Sequence, residues 1–96
     1  MSDDDRPGPL SGIRVLAATQ IVAGPYAGIV LSDFGADVVK LEPLEGEGYR
    51  SSGALVPGEG KRFQSLNRGA KSLALDTSTE AGRAALHRII PSFDVV

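Results

Sequence analysis

Few residues of this chain could do chemistry. One histidine, His87, and no cysteine stand among 96 residues, so neither a thiolate or histidine-cluster metal site nor a disulfide framework can be composed. No Ser-His-Asp set, paired-carboxylate motif or P-loop can be written. Asp33, Asp37 and Asp76 flank predicted helices or strands, where caps and turns account for them, and His87 reads as a surface or half-buried helix residue. What remains is anion binding. The loop Ala18-Thr19-Gln20-Ile21-Val22-Ala23-Gly24 follows a predicted strand and feeds a predicted helix, where free N–H groups and the helix dipole favour phosphate. The same loop also reads as a plain βα turn. Arg50, Lys61, Arg62, Arg68 and Lys71 concentrate between a long loop and the third predicted strand; such a set can hold nucleotide phosphates or form a solvated face. Glu42 ends a predicted strand near where an acid takes a ribose hydroxyl. The G-x-G-x-x-G turn is missing, however, because Gly24 and Gly28 have Pro25 between them, so a nicotinamide dinucleotide is not the expected ligand.

The elements that must position these residues follow from pattern. Ile13 to Ala17 is short and β-branched at its start, which suits a buried strand. Gly24-Pro25 opens a helix running from Pro25 to Phe34, with Gly24 at the N-cap, Pro25 at the first helical position and Gly35 as the left-handed stop. Asp37 to Glu42 is the second strand, completing a βαβ unit whose parallel crossover should be right-handed. Pro43 to Gly60, rich in glycine and proline, reads as a long loop without regular structure, a lid or partner segment. Phe63 to Asn67 forms a helical turn and Ser72 to Leu75 a third strand. Thr77, Ser78 and Thr79 compete to cap the next helix, with Thr77 and Glu80 spaced as a capping box. Ala81, Ala84, Ala85, Leu86, Ile89 and Ile90 form its buried side, and Pro91 ends it. Phe93 to Val96 begins a further strand. The fold class is α/β, Rossmann-like βαβ units on a parallel sheet.

Composition narrows the function classes. Ten Lys and Arg against twelve Asp and Glu leave a net charge of −2, so nucleic acid and acidic membranes are not expected partners. The longest apolar run, Ile21 to Leu31, holds Gly24-Pro25 and falls well short of the ~20 residues that span a bilayer. The chain opens on Ser2-Asp3-Asp4-Asp5 rather than a basic n-region, so a soluble, cytoplasmic setting is expected, with residues 1–9 a solvated acidic tail. It stops at Val95-Val96 inside an apolar run, which reads as the N-terminal piece of a longer polypeptide.

Two linked blocks carry a family resemblance. The first runs Pro9-Leu-Ser-Gly-Ile-Arg-Val-Leu, Ala23-Gly24-Pro25 and Leu31-Ser-Asp33-Phe-Gly35-Ala36-Asp37-Val-Val-Lys40-Leu-Glu42. The second runs Phe63-Gln-Ser-Leu66-Asn67-Arg68-Gly-Ala-Lys71-Ser72-Leu-Ala-Leu75-Asp76, then Gly82-Arg83 and Phe93-Asp94-Val95-Val96. Together they resemble the N-terminal part of the class III CoA-transferases, the CaiB/BaiF family, over residues 9–96, with residues 10–96 as its CoA-binding part. The resemblance implies coenzyme A or an acyl-CoA as ligand, a carboxylic acid as second substrate, no metal, and an interlaced homodimer. It also implies transfer through an aspartyl-CoA intermediate, or, in the racemase branch, proton abstraction beside the thioester by a His and an Asp.

By position, Val22, Ala23, Leu75, Asp76, Thr77 and Ser78 would line the CoA site. Ala17 departs from the Asp of many relatives, and Pro43 and Ser78 from the basic residue and Lys of some, so a phosphate contact is either missing or supplied by Arg50 or Arg68. The family's catalytic residues match no position up to Val96, which leaves no catalytic residue in this segment. An inactive truncated fragment or a stand-alone CoA-binding module stays open as an alternative.

Overall fold

The computed structural model describes residues 8–51 and 60–96. Most of the expected acidic tail, residues 1–7, and residues 52–59 of the expected long loop lie outside the described residues. Three parallel strands, β1 (Arg14–Ala17), β2 (Asp37–Glu42) and β3 (Lys71–Ala74), form one sheet in the order β1-β2-β3. The register pairs Leu16 with Val39 and Leu41 with Leu73. Beyond β1, Val95 forms a single parallel bridge to Val15, and the Leu16 N–H donates to the Val95 carbonyl at 2.9 Å. The residues read as a further strand thus add to the outer edge of β1.

Side-chain alternation on these strands builds the core. Val15, Ala36 and Val38 form one buried cluster, with Leu10, Ile13, Ala17, Leu31 and Ala70 packed against it. Leu16, which follows Val15 on β1, is also 1% exposed. A strand buried on both faces reads as a continuous apolar run, which is how Val15 to Ala17 of β1 and Val38-Val39 of β2 are written.

The helices are α1 (Ala23–Asp33), α2 (Lys61–Leu66) and α3 (Glu80–Ile89). Helix α1 starts two residues before the expected Pro25, with Val22 rather than Gly24 at the N-cap. The Val22 carbonyl accepts the Tyr26 N–H at 2.9 Å. Pro25 still falls in the first turn, where a backbone N–H has no intrahelical acceptor and its absence costs nothing. Gly35, at φ +103°, closes the helix as expected.

Helix α3 departs further. Its N-cap is Thr79, whose hydroxyl accepts the Gly82 N–H at 3.0 Å, so the Thr77–Glu80 capping box does not form. Its expected buried side is at most half-buried, with Ala81 and Ala84 exposed. Its main contact is the short 3₁₀ turn Ile90–Ser92 that follows it.

Candidate functional site

The carboxyl ends of three parallel strands face one side, and the loops leaving them enclose a cleft of about 580 Å³. Residues 18–20 leave β1 and residues 43–45 with Glu47 leave β2. Leu75, Asp76, Thr77 and Ser78 leave β3 and form the third wall. Open α/β sheets bind ligands in such a crevice, outside the carboxyl ends of their strands.

At the floor of the cleft, which Glu42 and Glu47 help to line, lies a group of charges that ordinary strand chemistry would exclude. Lys40, Glu42 and Glu47 are 3%, 3% and 4% exposed. An unpaired ion at that depth costs several kcal/mol, so each must be matched. Lys40 Nζ lies 2.5 Å from Glu47 Oε2 and donates to the Thr19 carbonyl at 2.9 Å. The other Glu47 oxygen accepts the Ile21 N–H at 3.0 Å. Arg50 grips Glu42 with two hydrogen bonds of 2.7 Å each, from Nε and Nη2, while the Glu47 N–H and the Ser72 hydroxyl donate to the same carboxylate. The Arg50 guanidinium also lies 4.0 Å from the centre of the Phe63 ring. Two cations and two carboxylates cancel.

The Arg50 hydrogen bonds, reinforced by those from Ser72 and the Glu47 backbone, hold the Glu42 carboxyl down to about 2 from its ordinary 4.5, against the opposing effect of burial. Glu42 is therefore an internal brace, and its carboxylate is engaged by Arg50, Ser72 and the Glu47 N–H rather than offered to a ribose hydroxyl. The segment after β2, expected as an irregular lid, is held in its described part by this brace: Glu47 is buried and Gly48–Ser51 forms a 3₁₀ turn. Glu47 and Lys40 were not singled out from sequence. The available signal was a charge at alternate positions of an otherwise apolar strand end, Lys40 and Glu42.

The third wall is shaped by Asp76. Its Oδ1 accepts from the Ser78 N–H at 3.0 Å and the Ser78 hydroxyl at 2.5 Å, and its carbonyl accepts from the Thr79 hydroxyl at 2.9 Å. The Ser78 bonds lower the Asp76 carboxyl below the usual range. The first turn of α3 folds so tightly onto this loop that a Cβ on Gly82 would stand 1.7 Å from the Asp76 carbonyl oxygen. Only glycine fits there.

Of the residues expected to contact CoA, Leu75, Asp76, Thr77 and Ser78 line the cleft together. Val22 and Ala23 lie at the start of α1, exposed and outside its lining. Arg50 sits on Glu42, and Arg68 makes a bidentate pair with Asp33 at 2.6 and 2.9 Å, which lowers the Asp33 carboxyl. Lys71 lies 3.2 Å from Asp37. Arg50, Arg68 and Lys71 of the expected basic cluster are thus divided among separate carboxylates. Among the described residues no lysine or arginine lines the cleft, His87 is exposed on α3, and no group of acidic or histidine side chains is arranged to hold a metal.

Comparison with known proteins places this arrangement. Residues 10–96 match the model of CoA-transferase family III. The chain is 44% identical over 94 residues to a succinyl-CoA:mesaconate CoA-transferase of Haloarcula hispanica, covering 93% of this chain and 24% of that protein. It is 38% identical over 100 residues to a succinate–glutarate CoA-transferase of Agrobacterium fabrum, covering 96% and 25%. Among solved structures, a hypothetical protein from Mycobacterium tuberculosis superposes with a TM-score of 0.82 at 43% identity, over 92% of this chain and 24% of that one. A CaiB/BaiF family protein from Brucella suis gives 0.83 at 38% identity, over 94% and 25%. The chain thus spans about a quarter of the length of these relatives. A parallel sheet with its cleft at the carboxyl ends, and sequence agreement running through all three strands, lead to one conclusion: the chain belongs to CoA-transferase family III.

Proposed function

We propose that this chain is the CoA-binding N-terminal part of an enzyme that moves CoA between carboxylic acids. The observation that carries the reading is the cleft itself: in a chain matching this family, the β3–α3 loop Leu75–Ser78, expected to contact CoA, forms one wall of a crevice at the carboxyl ends of the strands. Val22 and Ala23 flank the same end of the sheet, at the start of α1.

In the transfer we propose, an aspartate carboxylate attacks the acyl-CoA carbonyl, expelling CoA as thiolate and leaving a mixed anhydride. The thiolate then attacks the aspartyl carbonyl to give an aspartyl-CoA thioester and free the first acid. The incoming carboxylate repeats the sequence in reverse. No described aspartate is free for this work. Asp33 is held by Arg68, Asp37 by Arg14 and Lys71, Asp76 by Ser78, and Asp94 accepts the Arg14 N–H at 2.8 Å. The nucleophile in this reading comes from polypeptide outside residues 8–96.

A cytoplasmic setting and an interlaced homodimer belong to the same proposal; among the described residues no helix is long and apolar enough to cross a membrane. The test is calorimetric titration of the native-length protein with CoA, followed by transfer assays with succinyl-CoA as donor and mesaconate or glutarate as acceptor. Micromolar binding of CoA with transfer to a carboxylic acid is expected. No binding of any CoA species would sink the proposal, and exchange of the substrate α-hydrogen without transfer would replace it with racemisation.

A further inference from the structure

We propose that Lys40 and Glu47 are a positioning pair for the CoA cleft, holding the β1–α1 wall in a backbone shape it would not keep unaided; the ligand in this inference rests on the reading above. Both side chains are almost fully buried, and their charged ends meet at 2.5 Å. Each spends a further hydrogen bond on the same loop: Lys40 Nζ donates to the Thr19 carbonyl, and Glu47 Oε1 accepts the Ile21 N–H. Thr19 and its neighbours Ala18 and Gln20 line the cleft.

The loop so held is strained. Ile21 has φ +71° and is the one non-glycine residue with positive φ among the described residues. A β-branched side chain is poorly tolerated there. Ile21 is 56% exposed, so apolar burial contributes little to offset the strain. The Glu47 carboxylate on its N–H is the polar contact that holds it.

Fold stability alone does not call for such a pair. Well-packed apolar residues in place of a buried ion pair are often as stable or more so. What the ions supply, and a methionine–leucine pair cannot, is directional bonding to two backbone groups, two residues apart, on one wall of the cleft. The expected function is to fix that wall before the ligand arrives, which raises affinity by sparing the ordering cost at binding.

The test uses the native-length protein carrying Lys40→Met and Glu47→Leu together. Three quantities are read: melting temperature, the dissociation constant for CoA by calorimetry, and backbone amide exchange at Ile21. The double variant is expected to melt within a few degrees of the parent, bind CoA at least ~10-fold more weakly, and exchange the Ile21 amide at least ~10-fold faster. Parental CoA affinity in a folded double variant would overturn the inference.

If that variant does not fold, Glu47→Ala with and without Ile21→Gly decides the matter, because alanine removes the acceptor of the Ile21 N–H and glycine adopts φ +71° without strain. Recovery of at least ~3-fold in CoA affinity on adding Ile21→Gly is expected, and no recovery refutes the positioning role. Should the parent protein itself bind no CoA, the ligand reading falls alone. Ile21 amide exchange then supports the pair's role if it accelerates in the variant, and overturns it if it does not.

Discussion

Replacing Glu42 by Gln removes the charge on which the brace at the floor of the cleft converges, while keeping an oxygen for the Ser72 hydroxyl. The structure sets the size of the effect. The Glu42 carboxyl is held at about 2 rather than 4.5, chiefly by the two hydrogen bonds from Arg50. Each pH unit of that depression corresponds to about 1.4 kcal/mol, hence roughly 3 kcal/mol of stability at neutral pH. Arg50 keeps 29% of its side chain in solvent, so water screens part of the interaction and about 2 kcal/mol is the expected loss. The sign follows from proton affinity. The unfolded chain holds the proton more tightly, so this stability is whole above pH 4.5 and drains away as pH falls from 4.5 towards about 2.

The assay is urea unfolding of the native-length protein and Glu42→Gln, at a series of pH values from 7 down to 2.5. Asp33, Asp37 and Asp76 are also held below their ordinary range, but they are common to both proteins and cancel in the difference. A gap of about 2 kcal/mol at pH 7 that narrows steadily below pH 4.5 is expected. A gap that stays constant across the series, or no gap at all, would refute the reasoning.

Other perturbations test the remaining walls. Gly82→Ala drives a methyl group to 1.7 Å from the Asp76 carbonyl oxygen unless the backbone moves, so it should lower stability by about 1–3 kcal/mol in urea unfolding and weaken CoA binding in calorimetry. Thr79→Ala should cost about 1 kcal/mol through loss of the N-cap, whereas Thr77→Ala should change stability by less than about 0.5 kcal/mol; the pair of melts locates the cap of α3. Arg68→Ala frees Asp33 on the exposed surface, outside the cleft, and should leave CoA affinity within about twofold, since the lost pair is solvent-screened.

Much of the fold is legible in the chain. The β-branched run Asp37–Glu42 is a strand over the expected residues, and Gly35 ends α1 because a left-handed turn there favours glycine. Boundaries shifted where two residues could serve the same purpose. Val22 caps α1 by its backbone alone, leaving Gly24 inside the first turn, and Thr79 displaced Thr77 because its hydroxyl reaches the Gly82 N–H. The apolar stripe of α3 does not predict its burial, since a periodic stripe states only that a face can be covered, and no described element covers that one.

At the site, Leu75–Ser78 were legible through resemblance, and the cleft they line lies at the carboxyl ends where a βαβ order puts it. Arg50 and Arg68 were grouped by closeness in sequence. Folding carried them to different carboxylates, because charges pair with whatever ion the packed backbone brings within reach.

The sequence by itself determined the α/β class, the parallel order and the family, because these rest on local periodicity and on motifs readable residue by residue. Only the tertiary structure decided what the charges do. Lys40 meets Thr19, 21 residues away, and Glu42 meets Ser72, 30 residues away. Those meetings are set by the parallel register, which places Lys40 beside Ala17, two residues before Thr19, and Glu42 beside Ala74, two residues after Ser72. Burial then removes water as an alternative partner. Each ion takes the oppositely charged group, donor or acceptor that the fold places beside it, and no linear pattern records that choice.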